Sequence, residues 1–240
     1  MKYLKYINIV LGLIFCFSAF AGGGWPQPKG KTYLKLSQWW SVGNQHYTDL
    51  GLLDDNVTLG IYNTSLYAEH GFTDRLTGVI YFPFFSRTFN NNLVSSTTGE
   101  ILAPGDAINS IGDTDLKIKY GITKPGSKIA VSGSILFGIP LGNDAGGSQK
   151  NLQTGDGEFN QLLQLDAGTG IQLGGKTGLY ANAYAGFNNR TKGFSDEVRF
   201  GAEIGLGLND YKWLFISRLN VLQSLENGSL PNQITSTSIF

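Results

Sequence analysis

Cysteine and histidine, on which many enzyme active sites depend, are nearly absent from this chain. Its 240 residues include one cysteine, Cys16, and two histidines, His46 and His70. Cys16 lies in a segment that we expect to be removed, so neither a disulfide nor thiol chemistry would remain. The predicted strands put the two histidines at opposite ends of the fold, where they cannot share a nucleophile. We predict no catalytic residues, no cofactor and a protein that is not an enzyme.

An excess of charge of one sign is missing as well. The chain has 18 basic and 18 acidic residues. Loss of Lys2 and Lys5 with a cleaved leader would leave 16 basic residues against 18 acidic ones, a net charge of −2. Proteins that bind nucleic acids usually carry a strongly basic surface. We therefore expect no nucleic-acid partner.

A long apolar run occurs only at the start of the chain. Lys2 and Lys5 form a positive region, residues 7–17 an apolar region, and residues 19–21 an Ala-Phe-Ala cleavage motif. This order is typical of a secretory signal peptide that is cleaved after residue 21. A retained membrane anchor would need about 20 apolar residues, and this run is shorter. We therefore predict that the mature chain is exported.

Glycine and aromatic residues, by contrast, are abundant. The chain contains 33 glycines, 15 phenylalanines, 11 tyrosines and 4 tryptophans. Helical periodicity is absent, and no apolar run after residue 21 is long enough for a membrane helix. Many short segments alternate between apolar and polar residues instead, which indicates β-strands.

The clearest alternation lies in residues 111–122. Because side chains of a strand point to opposite faces in turn, Asp113, Asp115, Lys117 and Lys119 would share one face, and apolar residues would cover the other. Such a sheet needs water on one side and an oily medium on the other. The oily medium is a protein core in a soluble sandwich and lipid in a membrane barrel.

The connections between the predicted strands alternate between short and long. The short ones are 72–75, 123–127, 174–176 and 209–211, and the long ones are 42–56, 88–110, 141–157, 189–196 and 225–231. Outer-membrane barrels have short periplasmic turns and long outer loops, whereas a soluble sandwich does not require this alternation. We predict an all-β fold: an up-and-down antiparallel transmembrane β-barrel of about 10–12 strands in the bacterial outer membrane.

Ten strands can be drawn from the alternation. They are 31–41, 57–71, 76–87, 111–122, 128–140, 158–173, 177–188, 197–208, 212–224 and 232–240. A signal peptide at 1–21 and a periplasmic segment at 22–30 would precede a barrel domain at 31–240. Either the barrel is small, with Phe240 as its terminal aromatic residue, or the chain stops before a final hairpin.

Charged residues predicted to face the lumen are nearly balanced in sign. They are Lys35, Glu69, Asp113, Asp115, Lys117, Lys119, Glu158, Asp166, Arg199, Glu203 and Arg218. A pore with a strong ion preference usually carries an excess of one sign at its constriction. Mixed charges in a narrow lumen also suit structural ion pairs, so a filled lumen and a selective one both remain open.

One predicted strand is apolar on both faces. Residues 79–85 read Val-Ile-Tyr-Phe-Pro-Phe-Phe, and Pro83 lacks the N–H that a β-ladder needs, which predicts a bulge or kink. Tyr81, Phe82, Phe84 and Phe85 are therefore candidates for a hydrophobic passage. The alternative is an aromatic girdle at the membrane interface together with ordinary inner packing.

The long loops contain one weak candidate for a metal site. Oxygen atoms of Asn143, Asp144, Asp156 and Glu158 could hold Ca²⁺, but their spacing lacks the regularity of a calcium-binding loop. We therefore predict no metal ligands and a solvated loop.

Several short motifs resemble outer-membrane proteins of the meta-pathway phenol-degradation family. They are Tyr-Ala-Glu-His-Gly-Phe-Thr-Asp-Arg-Leu at 67–76, Phe-Pro at 82–83, Ile-Gly-Asp at 111–113, Lys-Tyr-Gly at 119–121 and Phe-Gly-Ile-Pro-Leu-Gly at 137–142. The resemblance covers residues 60–142, and it implies a barrel of about twelve strands that passes hydrophobic aromatic compounds across the outer membrane.

Two functions follow as expectations. The first is a passive, porin-like channel or uptake route for small solutes, with hydrophobic or aromatic ones suggested by the resemblance. The second is a structural or adhesive barrel that binds a partner through its outer loops. In both, the expected partners are outer-membrane lipid and the barrel-assembly machinery, and the solute is unknown.

Overall fold

The structure is a computed structural model that describes residues 23–47, 51–54, 58–95 and 97–229. Its strands are β1 (Thr32–Gly43), β2 (His46–Tyr47), β3 (Leu53–Asp54), β4 (Leu59–Gly71), β5 (Leu76–Asn90), β6 (Leu93–Val94), β7 (Ile101–Ala103), β8 (Asp106–Ser110), β9 (Thr114–Gly121), β10 (Ile129–Ile139), β11 (Asn160–Gly174), β12 (Thr177–Asn189), β13 (Glu197–Leu208) and β14 (Trp213–Ser224). Within these ranges, no helix has the length and apolarity to span a membrane.

The long strands form one antiparallel sheet that follows the order of the chain. Its path is β1-β4-β5-β9-β10-β11-β12-β13-β14, and β8 pairs with the far end of β5. The sheet curls strongly into a half-barrel. The predicted all-β, antiparallel, up-and-down arrangement is confirmed, and nine of the ten predicted strands are present. The tenth, at 232–240, and the signal peptide at 1–21 lie outside the described residues.

The prediction of the longest loop is partly wrong. The sequence predicts a loop at 88–110, but β5 extends to Asn90. Strand β8 pairs with this extension, from Asp106 opposite Asn90 to Ser110 opposite Ser86. The prediction failed because polar residues occupy both faces of this extension, so the sequence does not alternate. The remaining loop contains the small hairpin β6–β7, and the first long loop contains the hairpin β2–β3.

A bulge interrupts the ladder between β4 and β5, as Pro83 predicted. The register shifts between Thr64 and Leu66, opposite residues 82–85. The carbonyl oxygen of Pro83 accepts a hydrogen bond of 2.7 Å from the backbone N–H of Gly112. A neighbouring segment thus satisfies a backbone group that the bulge removes from the ladder.

The two faces of the sheet have opposite character. On the face that we call the inner face, the buried side chains are mostly polar: Ser65, Glu69, Thr77, Asp115, Lys119, Ser132, Ser134, Asp166, Asn188 and Glu197. On the outer face, large apolar side chains are exposed: Leu34, Leu36, Ile118, Ile135, Leu163, Leu165, Ile171, Phe200, Ile204 and Leu219. A soluble sandwich buries its apolar faces against each other, so the distribution found here is the inverse.

Candidate functional site

The middle of the inner face brings together several of the predicted lumen residues. Lys117 and Lys119 project from β9, and the register places Lys119 between Thr77 of β5 and Ser134 of β10. Asp166 of β11 lies opposite Ser132, two residues along β10 from Ser134. Strands β9 and β11, which lie on either side of β10, therefore carry charges of opposite sign. This polar surface is the candidate functional site.

Glu69 is the most enclosed carboxylate of this region, with 2% of its surface exposed. One oxygen accepts a hydrogen bond from the hydroxyl of Tyr67, and the other accepts one of 3.2 Å from Nε2 of Gln27. The Tyr67 ring packs edge-to-face on Tyr33, with 6.2 Å between the ring centroids. A buried carboxylate is tolerable because both oxygens have donors.

A second polar group lies at the end of the sheet where the long loops begin. Residues Asp156, Glu158, Arg190, Glu197 and Arg199 form it, and we call it the outer-end cluster. The Arg190 guanidinium bonds to Glu158, to Glu197 at 2.9 Å and to Asp156 at 3.1 Å. Arg199 bonds to Glu197 at 2.7 Å. The Arg190 guanidinium also lies 4.4 Å from the centroid of the Phe194 ring, so charge pairs and a cation–π contact fix it from several sides.

Burial raises the pKa of one carboxyl group in this cluster and of one beside it. It raises the pKa of Glu158, even though Arg190 favours the ionised form. It also raises the pKa of Asp113 to about 6, although the backbone N–H groups of Gly142 and Asp156 donate to its carboxylate at 2.9 and 2.8 Å. The long-loop end therefore holds carboxyl groups that titrate closer to neutral pH than usual.

The raised pKa of Asp113 predicts a pH dependence of stability. The folded state binds this proton more tightly than the unfolded chain, so the Asp113 contribution is full below pH 3.8 and is lost as the pH rises through about 6. The free energy of unfolding, measured by urea denaturation across this window, should fall less steeply with pH in Asp113→Asn than in wild type. An unchanged slope would contradict the assignment.

Two charged residues lie on the edge strands, away from the middle. Lys35 of β1 is opposite Tyr67 and is exposed. Arg218 of β14 is opposite Glu203, to which it is ion-paired, and the Tyr180 hydroxyl donates to the same carboxylate at 2.7 Å. The structure thus pairs Glu203 with Arg218 but does not bring either Lys35 or Arg218 to the central group.

The four candidates for a hydrophobic passage are divided between the two faces. Tyr81 is opposite Asp115 and shares the inner face with it. Phe84 and Phe85 are exposed, and Phe82 lies beside Phe84 with 6.4 Å between their centroids. The bulge puts Phe84 and Phe85 on the outer face together, so Tyr81 is the one of the four residues that faces inward.

The loop carboxylates considered for Ca²⁺ have other partners. Asp156 and Glu158 bond to Arg190, and Asp144 lies 3.6 Å from Lys192. Within the described ranges, no group of three or more His, Cys, Asp or Glu residues is arranged to hold a metal ion.

Important residues of the inner face were missed by the sequence analysis. Glu197 was predictable, because it shares the strand period with Arg199 and Glu203. Arg190 and Gln27 were not, since both lie outside strands and no periodicity indicates where their side chains point.

Comparisons with known proteins add no family to these observations. No protein-family model matches the chain, and no curated protein matches it either. The resemblance of its short motifs to the phenol-degradation family therefore stays a prediction.

Proposed function

We propose that this protein is a closed outer-membrane β-barrel that provides a passive route for small solutes. The observation that carries the proposal is the inverted distribution of polarity: charged and polar side chains cover the inner face, and large apolar side chains are exposed on the outer face. Lipid stabilises such an outer face, and water or a polar solute fits the inner one.

Closure of the barrel is the first part of this proposal. Lipid cannot hydrogen-bond to backbone groups, so strand edges within it must be paired. The described path has nine strands of alternating direction, and β1 and β14 consequently run the same way. An antiparallel barrel then needs an odd number of further strands between them. The predicted strand at 232–240 would give ten, and three strands would give twelve.

Passage of solutes is the second part. The inner face carries neighbouring charges of both signs, such as Glu203 with Arg218 and Glu197 with Arg199. Such pairs favour a hydrated lumen without a strong preference for cations or anions. Hydrophobic or aromatic solutes are suggested only by the family resemblance and by Tyr81 on the inner face.

Conductance tests this function. The mature protein, refolded into a planar bilayer, should give weakly selective ion conductance, and liposomes that contain it should swell in small neutral solutes. A folded barrel that stays closed in both assays would contradict a passive route. Heat-modifiable gel mobility, which reports a folded barrel, provides the control for refolding.

An adhesive or structural barrel is the second candidate. The hairpin β6–β7 exposes Ile101 and Leu102, and Leu53 of β3 and the preceding Leu52 are exposed as well. Exposed apolar side chains in outer loops suit contact with a partner protein. A closed barrel that loses partner binding in an Ile101→Ser, Leu102→Ser variant would favour this candidate.

A further inference from the structure

We propose that residues 23–28, which we call the strap, close the inner face at the end where the short turns lie, and that the strap must move before a solute can pass. The second half of this inference rests on the proposed function. The first half concerns only how the strap covers the inner face.

The strap enters the half-barrel from the turn between β4 and β5. The backbone N–H of Gly30 donates to the carbonyl of Gly71 at 2.7 Å, and that of Lys29 donates to Asp74 at 3.1 Å. These bonds fix the point at which the chain, after it has crossed the inner face, turns into β1.

Side chains on several strands then hold the strap. The backbone N–H of Gln27 donates to the Thr77 hydroxyl at 2.8 Å, and its side chain donates to Glu69. At the other end of the strap, Nζ of Lys119 donates to the carbonyl of Gly23 at 2.9 Å. Glu69, Thr77 and Lys119 belong to β4, β5 and β9, so the strap crosses the sheet instead of extending it.

Glycines of the inner face make room for the strap. A Cβ at Gly121 would lie 2.8 Å from Pro26. A Cβ at Gly168 would lie 2.6 Å from the Trp25 ring and 2.5 Å from Oδ1 of Asn182, a side chain of the neighbouring strand. These distances are shorter than van der Waals contact, so an alanine at either position would force a shift. The strap thus fits a groove that the absence of side chains creates.

The strap is held in a way that permits movement. The bonds that Gly23 and Gln27 make to the inner face involve the side chains of Lys119, Thr77 and Glu69, not a continuous β-ladder. Water can replace each of these partners when the strap leaves. A cavity of about 1090 Å³, lined partly by Trp25, Pro26, Lys128, Tyr180 and Tyr211, borders the strap and provides space for its displacement.

Alanine at Gly168 tests the inference without changing the strap itself. Gly170 is the matched control, because it lies on the same strand and face and its Cβ would meet only ordinary contacts at 3.7 and 3.9 Å. The readout is the rate at which a water-soluble thiol reagent labels a cysteine introduced by Ser132→Cys. Ser132 is fully buried on the inner face. The mature chain would have no other cysteine.

All variants carry Ser132→Cys, and the protein with this substitution alone is the reference. We expect labelling with Gly168→Ala to be about tenfold faster than in the reference, as a strained contact shifts a closed equilibrium by that order. Labelling with Gly170→Ala should match the reference. Gln27→Ala, which removes the bond to Glu69 and introduces no clash, should also accelerate labelling, with Lys29→Ala as its control. Labelling at the reference rate in folded Gly168→Ala and Gln27→Ala would overturn the inference.

Conductance of the same variants separates this inference from the proposed function. If Gly168→Ala conducts several-fold more than wild type and Gly170→Ala, the strap covers the inner face and limits passage. If labelling accelerates but no variant conducts, the strap covers the inner face and the proposed route fails. If all variants conduct and label equally, the route stands and the strap does not close it.

Discussion

Replacement of Arg190 by alanine should lower the free energy of unfolding by about 3–5 kcal/mol, because it leaves buried carboxylates without their cation. The Arg190 side chain is 2% exposed, and Glu158 and Glu197 beside it are equally enclosed. Arg199 still neutralises Glu197 in the variant, but Glu158 loses its only ion-pair partner among the described residues. The loss should therefore arise mainly at Glu158.

Urea unfolding of the refolded protein in lipid vesicles measures this effect. Lys176→Ala is the matched control, because it removes a cation whose side chain is 67% exposed and whose partner is Asp210. A surface pair of this kind contributes at most about 1 kcal/mol. If the two variants lose the same small amount, the outer-end cluster does not stabilise the fold as described.

Arginine at Leu165 should destabilise the protein in a bilayer by about 2–4 kcal/mol, because this position would face lipid near the midplane. Leu165 lies on the outer face near the middle of β11 and is 57% exposed. An exposed leucine on a soluble protein can be replaced by arginine with a change of only about 0.5 kcal/mol. The sign and size of the effect thus report the medium outside the sheet.

Gln161→Arg provides the control for depth. Gln161 shares the outer face with Leu165 but lies at the long-loop end of β11. An arginine near the interface costs only about 0–1 kcal/mol, so unfolding in vesicles should distinguish the two variants. Equal, negligible effects would show that the outer face meets water or protein.

Strands of this protein were predictable because each requires apolar side chains on one face and mostly polar side chains on the other. In residues 197–208, Phe200 and Ile204 alternate with Arg199 and Glu203, and β13 begins and ends at the predicted residues. The same physical requirement gave the faces of β9, β10 and β11. It failed for β8, where polar residues on both faces conceal the ladder.

The inner-face contacts were largely unpredictable for a different reason. The strap has no periodicity, and its bonds to Thr77 and Lys119 join residues 50 and 96 positions apart. Arg190 lies in a connection whose path only the folded structure defines. From the sequence, Gly168 is an ordinary strand glycine, and only the folded structure shows that Trp25 packs against it.

Fluorescence quenching by lipids with brominated acyl chains tests the central claim most directly, because it reports which face meets lipid. Two single-tryptophan proteins are needed: one that keeps Trp25 of the strap, and one that has Leu165→Trp on the outer face, with the remaining native tryptophans replaced by phenylalanine. The account predicts strong quenching of the tryptophan at 165 and little quenching of Trp25. Equal quenching of both, or a protein that remains soluble without lipid, would contradict it.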